Sequence, residues 1–323
     1  MKRSGCLYIA ILCLCFVSVQ SKSWKNKDKA DKGDNGKGWK VGHWKKFLKQ
    51  YGYTTSEKIS PHEIKNAIVK FRILYQFDNT VTDDDLVKFI TINRRCGNKD
   101  RTGKKSKKNK GKRRVRRYDL NPAWTTKSIK YAIEKYSSSG LTVQQQNDIA
   151  AEAFQLWEDS VPQLDFTQSS ESEAHIKIRF EKGSHGCAQD FDGKDGIIAH
   201  AYLPEDGRIH LDDAEPFTVQ SDKDVSLKLV LVHEIGHALG LGHSFVKGAM
   251  MHPVYRENTS EGTLHEDDIN GMRMLYAPET AADPNCVDQD PSLCAFYKNQ
   301  GYCVPDFADV MIETCPYTCN LCQ

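Results

Sequence analysis

The sequence predicts an α+β protein in three parts: a small helical segment, a larger domain that mixes strands with long helices, and a disulfide-rich C-terminal module. Three observations support this prediction. Apolar residues recur at helical spacing between residues 42 and 92, and a long capped helix precedes an alternating strand in the middle of the chain. Six of the eleven cysteines crowd between residues 286 and 322, which is typical of a disulfide framework.

The N-terminus has the pattern of a secretory signal peptide. Lys2 and Arg3 precede an apolar run from Leu7 to Val19, which is followed by small and polar residues. Because this run is too short to span a membrane, we expect residues 1–22 to be removed and the protein to be secreted into the extracellular space, without a transmembrane anchor. Residues 23–41 are rich in Lys, Gly and Asp, and they are predicted to be disordered.

A small helical bundle is predicted for residues 42–92. Ser60 and Glu63 form a capping-box pattern with proline between them at the first helical position. The apolar residues that follow recur on one helix face: Ile64, Ile68, Phe71 and Tyr75. A second short helix is predicted from Thr82 to Ile90, with Thr82 as its cap.

Residues 101–117 form a basic run of eleven Lys or Arg without an acidic residue, although the formal net charge of the chain is only +2. Such a run is typical of nucleic-acid binding or of a solvated segment. Secretion argues against a nucleic-acid partner. Because the run ends in Arg114-Val115-Arg116-Arg117, the form that furin-like convertases cut, we interpret it as an activation linker cleaved between Arg117 and Tyr118.

The middle of the chain combines a long helix with at least one strand. The helix is predicted from Thr142 to Ser160, with Thr142 and Gln145 as its capping box. Residues 174–180 alternate between apolar and polar side chains, which predicts a strand. His175 projects from this strand and is interpreted as a surface residue rather than a metal ligand.

The stretch from His233 to His243 supplies metal-ligand histidines and a carboxylate at the spacing that zinc hydrolysis requires. On a helix, His233 and His237 share a face, and Gly240 permits the turn that brings His243 back as a third ligand. Three protein ligands leave a fourth position for water, which is typical of a catalytic zinc, and Glu234 can act as the base. A bare HExxH could be an exposed polar stripe, but the full HExxHxxGxxH is far more specific.

These motifs resemble the matrix metalloproteinases of the metzincin clan over roughly residues 42–278. Lys49 to Tyr53 is similar to the start of the family's pro-domain, and Arg95 to Asp100 is similar to its cysteine switch. Met251 follows the third histidine where the family has its methionine turn, although core packing is the alternative for this residue. Arg94 and Lys99 stand where the family usually has prolines.

The resemblance implies the domain plan. Residues 42–117 correspond to a pro-domain, and residues 118–278 to a metzincin zincin catalytic domain with a twisted mixed sheet and long helices. Residues 279–285 are then a linker. Residues 198–204 are similar to the edge strand against which this family lays an extended substrate.

The resemblance also implies a function: a secreted zinc endopeptidase, made as a zymogen, that hydrolyses extracellular and matrix proteins such as collagen. The sulfur of Cys96 would fill the open zinc position until a convertase removes the pro-domain; a stray thiol is the alternative. After cleavage, the ammonium of Tyr118 would pair with Asp267, and Asp268 would brace the methionine turn. Leu229 implies a preference for large apolar residues after the cut, unless it is only a core residue.

A structural zinc and a calcium ion are implied by the same resemblance. The structural zinc would be held by a set in which cysteine replaces the family's usual aspartate: His185, Cys187, His200 and His210. An idle thiol is the alternative for the cysteine. Calcium would be held by carboxylates and backbone oxygens: Asp192, Gly193, Asp195, Ile197, Asp212 and Glu215. An ordinary acidic surface turn is the alternative there.

Residues 286–322 resemble the ShK toxin-like module through the closing pattern Cys315-x3-Cys319-x2-Cys322. The resemblance implies three disulfides, although the sequence alone allows fifteen pairings: Cys286–Cys322, Cys294–Cys315 and Cys303–Cys319. No segment of this sequence resembles the family's usual C-terminal hemopexin propeller, so we expect this tail to find a protein partner or the matrix. Asn258 begins a glycosylation sequon.

A secreted binding protein is the alternative class of function. In that case the ShK-like tail would find a partner, and the metalloprotease fold would serve only as a scaffold. Glu234, Cys96 and the convertase site argue for the protease, because a scaffold has no need of a base or of a latency device.

Overall fold

The structure is a computed structural model of the chain. It describes residues 35–54, 58–77, 80–100, 118–138, 140–219, 224–256, 263–276, 291–299 and 301–304, together with residues 288, 311, 315 and 317–321. Several predicted features lie outside these residues: the signal peptide, the basic linker with Arg117, Asn258, the 279–285 linker, and the Cys286–Cys322 disulfide.

Seven helices and ten strands lie within the described residues. The helices are α1 Asn35–Gln50, α2 Pro61–Leu74, α3 Asp83–Ile92, α4 Val143–Ser160, α5 Leu227–Ala238, α6 Glu266–Tyr276 and α7 Pro291–Asn299. The strands are β1 Arg95–Cys96, β2 Tyr118–Leu120, β3 Ser128–Lys135, β4 Asp165–Gln168, β5 Ile176–Glu181, β6 Ile197–Ala201, β7 Arg208–Asp212, β8 Phe217–Thr218, β9 Val225–Ser226 and β10 Leu241–Ser244.

Helices α1 to α3 form the predicted small bundle around one apolar core, in which Trp44, Leu48, Phe71 and Leu86 are buried. Helix α3 begins after Thr82, whose hydroxyl and backbone exchange hydrogen bonds with Asp85 in a capping box. Helix α1 starts at residue 35, upstream of the predicted start near residue 42. The end of the segment that we predicted to be disordered is therefore helical, because an anchored helix extends at little cost once nucleated.

A six-stranded sheet forms the centre of the larger domain, in the order β1-β6-β7-β5-β3-β4. All of its neighbouring pairs are parallel except β6 and β7. This confirms the predicted α+β class with a mixed sheet. Helices α4 and α5 pack on the sheet, and Trp157 of α4 is completely buried, with its indole donating to Val232 O of α5 at 2.9 Å.

Strand β1 joins the bundle to the sheet. It lies parallel to β6, pairing Arg95 with Ile197 and Cys96 with Ala199, and it meets Val254 on its other side. The predicted edge strand at residues 198–204 is β6. Its outer backbone groups are therefore covered by the segment that precedes the basic linker.

The C-terminal module contains α7 and the disulfides Cys294–Cys315 and Cys303–Cys319, which is the pairing that the resemblance implies. Lys298 of α7 forms an ion pair with Glu266 at the start of α6, at 2.8 Å. Within the described part of the chain, no helix combines the length and the apolar character needed to cross a membrane.

Candidate active site

Helix α5 and the turn after it bring the three predicted zinc histidines together. Ser226 caps the helix by accepting from Leu229 N, and nearly every residue that follows in α5 is buried. Gly240 ends the helical segment with φ at +109°, and a Cβ there would lie 2.7 Å from Pro122 O. Glycine alone fits both requirements, and strand β10 can then carry His243 back toward α5.

Hydrogen bonds fix the orientation of the first two imidazoles. His233 Nδ1 donates to Met250 O and His237 Nδ1 donates to Leu241 O, each at 2.7 Å. Because a carbonyl can only accept, both Nδ1 atoms carry hydrogen and both Nε2 lone pairs are free. These Nε2 atoms lie 3.1 Å apart. Burial lowers the pKa of His233 to about 3, which keeps the imidazole in the neutral form that metals bind.

Cys96 of strand β1 completes this cluster. Its sulfur lies 3.5 Å from His237 Nε2, and the potential ligand atoms of Cys96, His233, His237 and His243 all lie within 4.8 Å of one another. All four residues are buried. Burial raises the pKa of the Cys96 thiol, and a metal dication would lower it again by binding the thiolate. The cluster therefore has the donors of a tetrahedral zinc site.

A buried ion pair between Arg95 and Asp100 supports the loop that carries Cys96. The side chains of Arg95 and Asp100 are 5% and 0% exposed. Asp100 also accepts from Tyr53 Oη at 2.8 Å and from Tyr75 Oη at 3.1 Å. Burial alone would raise the pKa of Asp100, but Arg95, His243 and Tyr53 lower it overall. His243 Nδ1 lies 3.2 Å from the same carboxylate.

Glu234 lies beside the cluster and is 1% exposed. Among the described residues, its Oε2 atom has no hydrogen-bond partner. Burial raises the pKa of Glu234 to about 8. A buried carboxylate with a free oxygen next to three imidazoles that could hold a metal ion is suited to hold a proton that comes from water.

The segment around Met251 lies directly under this cluster. Asp268 of α6 accepts hydrogen bonds from Met250 N at 2.7 Å and Met251 N at 3.0 Å, as the resemblance predicts. A Cβ at Gly236 would lie 2.4 Å from the sulfur of Met251. Helix α5 therefore needs a glycine one residue before His237, so that the methionine can pack against its backbone.

A second cluster of metal-ligating side chains lies on strands β6 and β7 and the loop before them. Cys187 Sγ is 3.1 Å from His210 Nδ1, and His185 Nε2 is 3.4 Å from His200 Nε2. The potential ligand atoms of all four residues lie within 4.8 Å of one another. Burial lowers the pKa of His200 to about 3 and that of His210 to about 4. The neutral imidazoles and the thiol fit a zinc ion.

The residues predicted to bind calcium lie between β5 and β8. Asp212 accepts from Gly193 N at 3.1 Å, and Asp192 accepts from Ile197 N at 2.9 Å. Glu215 is 1% exposed, and neither of its carboxylate oxygens has a hydrogen-bond partner among the described residues. Oxygen donors around a buried, unpaired carboxylate fit a hard cation. Unlike the two histidine clusters, however, these carboxylates are not gathered within 4.8 Å of one another in the described residues.

Arg94 is the contact at this loop that sequence reasoning missed. Its Nη2 atom lies 2.9 Å from Asp195 Oδ1, and its Nε atom lies 3.2 Å from Glu215 Oε2. The signal in the sequence was the departure from the family's usual proline at position 94. That departure did not indicate a partner, because Glu215 is more than a hundred residues away.

Comparison with known proteins adds to this geometry. Residues 123–277 match the model of the matrixin family, and residues 285–322 match that of the ShK domain-like family. The chain is 35% identical over 245 residues to Metalloendoproteinase 4-MMP of Arabidopsis thaliana, covering 72% of this chain and 71% of the relative. It is 31% identical over 240 residues to human Matrix metalloproteinase-19, covering 72% and 45%.

A third relative is Interstitial collagenase of Sus scrofa, which is 37% identical over 177 residues, covering 54% of this chain and 37% of the relative. The chain thus spans most of the plant relative but less than half of the human and porcine ones.

Proposed function

Because the chain belongs to the matrixin family of zinc-dependent metalloendopeptidases, we propose that it is a secreted zymogen that hydrolyses peptide bonds of extracellular and matrix proteins after its pro-segment is removed. One observation carries this proposal. Three histidines, two of them oriented by hydrogen bonds, and the pro-segment cysteine form a single buried cluster, and the buried carboxylate of Glu234 lies beside it.

The catalytic metal would be held by His233, His237 and His243. Bound Zn²⁺ supplies Lewis acidity, which lowers the pKa of water and polarises the scissile carbonyl. Glu234 takes the proton of the attacking water on its free carboxylate oxygen and passes it to the leaving amine. Its burial supports the first of these steps, since a carboxylate with a raised pKa takes a proton from water more readily than an exposed one.

Latency would rest on β1. Cys96 would be the fourth zinc ligand, and the pairing of β1 with β6 would deny substrate the backbone groups of the edge strand. Cleavage after Arg117 by a furin-like convertase would then leave Tyr118 at the new N-terminus. The new ammonium group would pair with Asp267. The register of β2 and β10 supports this pairing, because it sets Tyr118 opposite Ser244, whose hydroxyl donates to Asp267 at 2.7 Å.

Two further ions complete the proposal. A structural zinc would be held by Cys187 and the three histidines of the second cluster, with thiolate replacing the carboxylate usual in this family. Calcium would be held in the mature enzyme by the carboxylates of Asp192, Asp212 and Glu215 and by backbone oxygens of residues 193, 195 and 197. The tail would contribute a binding surface for a protein partner or the matrix, and Asn258 would carry a glycan.

The test is to treat the purified protein with a furin-like convertase and to incubate it with gelatin or a quenched peptide. We expect cleavage that a zinc chelator abolishes and that added Zn²⁺ restores, while the uncut protein stays inactive. Lack of cleavage by convertase-treated, zinc-loaded protein would favour the binding-protein alternative instead.

A further inference from the structure

Arg94 is the pro-segment residue just before the ion pair that supports Cys96. Its side chain is 15% exposed, and it contacts the proposed calcium loop rather than the proposed zinc site. Asp195 and Glu215, its two partners, both belong to the mature domain. The pro-segment therefore meets the mature domain at a charged contact that is separate from the contact through Cys96.

The chemistry of Glu215 explains why a cation lies here. Its side chain is 0% exposed, and neither oxygen has a hydrogen-bond partner within the described part of the chain. A carboxylate that is buried in this way is costly unless a positive charge lies beside it. In the zymogen that charge is the guanidinium of Arg94, whose Nε is 3.2 Å from Glu215 Oε2.

The backbone of the pro-segment also lies against the same loop. Arg95 N donates to Gly196 O at 2.8 Å, and a Cβ at Gly97 would lie 2.9 Å from Ile197 Cγ2. The pro-segment and the loop are therefore closely fitted on both sides of the Arg94 contact. A shift in the loop would therefore also displace the segment that carries Cys96.

We propose that Arg94 competes with Ca²⁺ for Glu215 and Asp195, so that binding of calcium and retention of the pro-segment oppose each other. A calcium ion needs six to eight oxygen ligands, and a guanidinium beside the same carboxylates both repels it and withholds Glu215. Calcium would therefore favour release of the pro-segment. Conversely, loss of the pro-segment would free the buried carboxylate of Glu215 for calcium in the mature enzyme. This inference rests on the calcium site proposed above.

Because binding free energies are thermodynamically linked, the competition can be measured either as calcium affinity or as docking of the pro-segment. If Arg94 weakens calcium binding by some factor, calcium weakens docking of the pro-segment by the same factor. Couplings of this kind usually amount to about 5- to 150-fold, and we expect about tenfold here because a single cation is exchanged.

The experiment compares calcium affinities by isothermal titration calorimetry, with the full-length zymogen and the mature chain both in a Glu234→Gln background that prevents self-cleavage. Arg94→Ala and Arg94→Gln both remove the competing charge, the first with a short side chain and the second with a longer neutral one. Arg72→Ala is the matched control, because Arg72 pairs with Asp83 inside the pro-segment at 2.9 Å and does not contact the loop. A second readout is release of the pro-segment from chains nicked after Arg117, followed by gel filtration with and without Ca²⁺.

We expect the zymogen to bind Ca²⁺ about tenfold more weakly than the mature chain, with both Arg94 variants recovering the mature affinity and Arg72→Ala behaving as the unchanged zymogen. Calcium should speed release of the nicked pro-segment only when Arg94 is present. Equal affinities for the zymogen and its Arg94 variants would overturn the inference and leave the calcium site standing. Absence of calcium binding by the mature chain would overturn both.

Discussion

The ion pair between Arg95 and Asp100 allows a quantitative prediction about latency. Asp100→Asn keeps the shape of the side chain but removes the charge opposite a guanidinium that is 5% exposed. Breaking a buried ion pair on one side costs about 3–5 kcal/mol, because the remaining charge stays desolvated. Arg95 would still lie over the ring of Tyr51, 3.4 Å from its centroid, and such a contact partly replaces the lost counter-charge.

We therefore take the lower end of the range, about 3 kcal/mol. The substitution destabilises the form in which the pro-segment is docked, because Arg95 is hydrated again when the pro-segment undocks. Each 1.4 kcal/mol is a factor of ten, so the open form should become about a hundredfold more populated. The uncut Asp100→Asn zymogen should hydrolyse a quenched peptide about a hundredfold faster than the uncut wild-type zymogen.

The assay needs chains that cannot be processed, so an Arg117→Ala background and electrophoresis after the reaction exclude cleavage. The matched control is the double variant Arg95→Met with Asp100→Leu, which removes both charges and should recover most of the latency. Unchanged peptidase activity in Asp100→Asn would refute the reasoning. If the uncut double variant hydrolyses the peptide as fast as Asp100→Asn does, the tyrosine hydrogen bonds to Asp100, rather than the buried charge, retain the pro-segment.

Three other predictions follow from the site. Cys187→Ser should reduce the zinc content of the mature chain, measured by mass spectrometry, from two ions to one, whereas Cys187→Asp should keep the second ion. Two zinc ions in the serine variant would show that the thiol of Cys187 is not a ligand. Gly236→Ala should destabilise the mature domain by about 1–3 kcal/mol in urea unfolding, because the added methyl group overpacks against Met251. Gly42→Ala is the control: a Cβ there meets no neighbour within 4 Å, so this variant should not destabilise the bundle. Leu229 lines a cavity together with His233, and its resemblance to the open-pocket members of the family implies that a peptide library should show large apolar residues after the cut. Preference for small residues would contradict this.

Local features of the fold could be predicted from the sequence because they depend on neighbours along the chain. The capping boxes at Thr82 and Thr142 set the starts of α3 and α4 correctly. The spacing of the three histidines was equally informative, since a helix followed by a glycine turn can bring them to one point with little help from the rest of the protein.

Contacts between distant segments could not be predicted in the same way. Strand β1 has only two residues and no periodic pattern, so its parallel pairing with β6 depends on where the bundle docks. The contacts of Tyr75 with Asp100 and of Arg94 with Glu215 likewise join groups that only the tertiary fold brings together. A family pattern could mark position 94 as unusual, but only the structure shows which charge it meets.

The most direct test of the proposed chemistry is the peptidase activity of mature Glu234→Gln, measured together with its zinc content. The substitution removes the proton acceptor and leaves the three imidazoles in place. We predict that zinc content stays at the wild-type level while peptide hydrolysis falls by about 10²–10⁴-fold, the usual contribution of a general base. Retention of wild-type activity by the zinc-loaded variant would contradict the role assigned to Glu234 and, with it, the proposed mechanism.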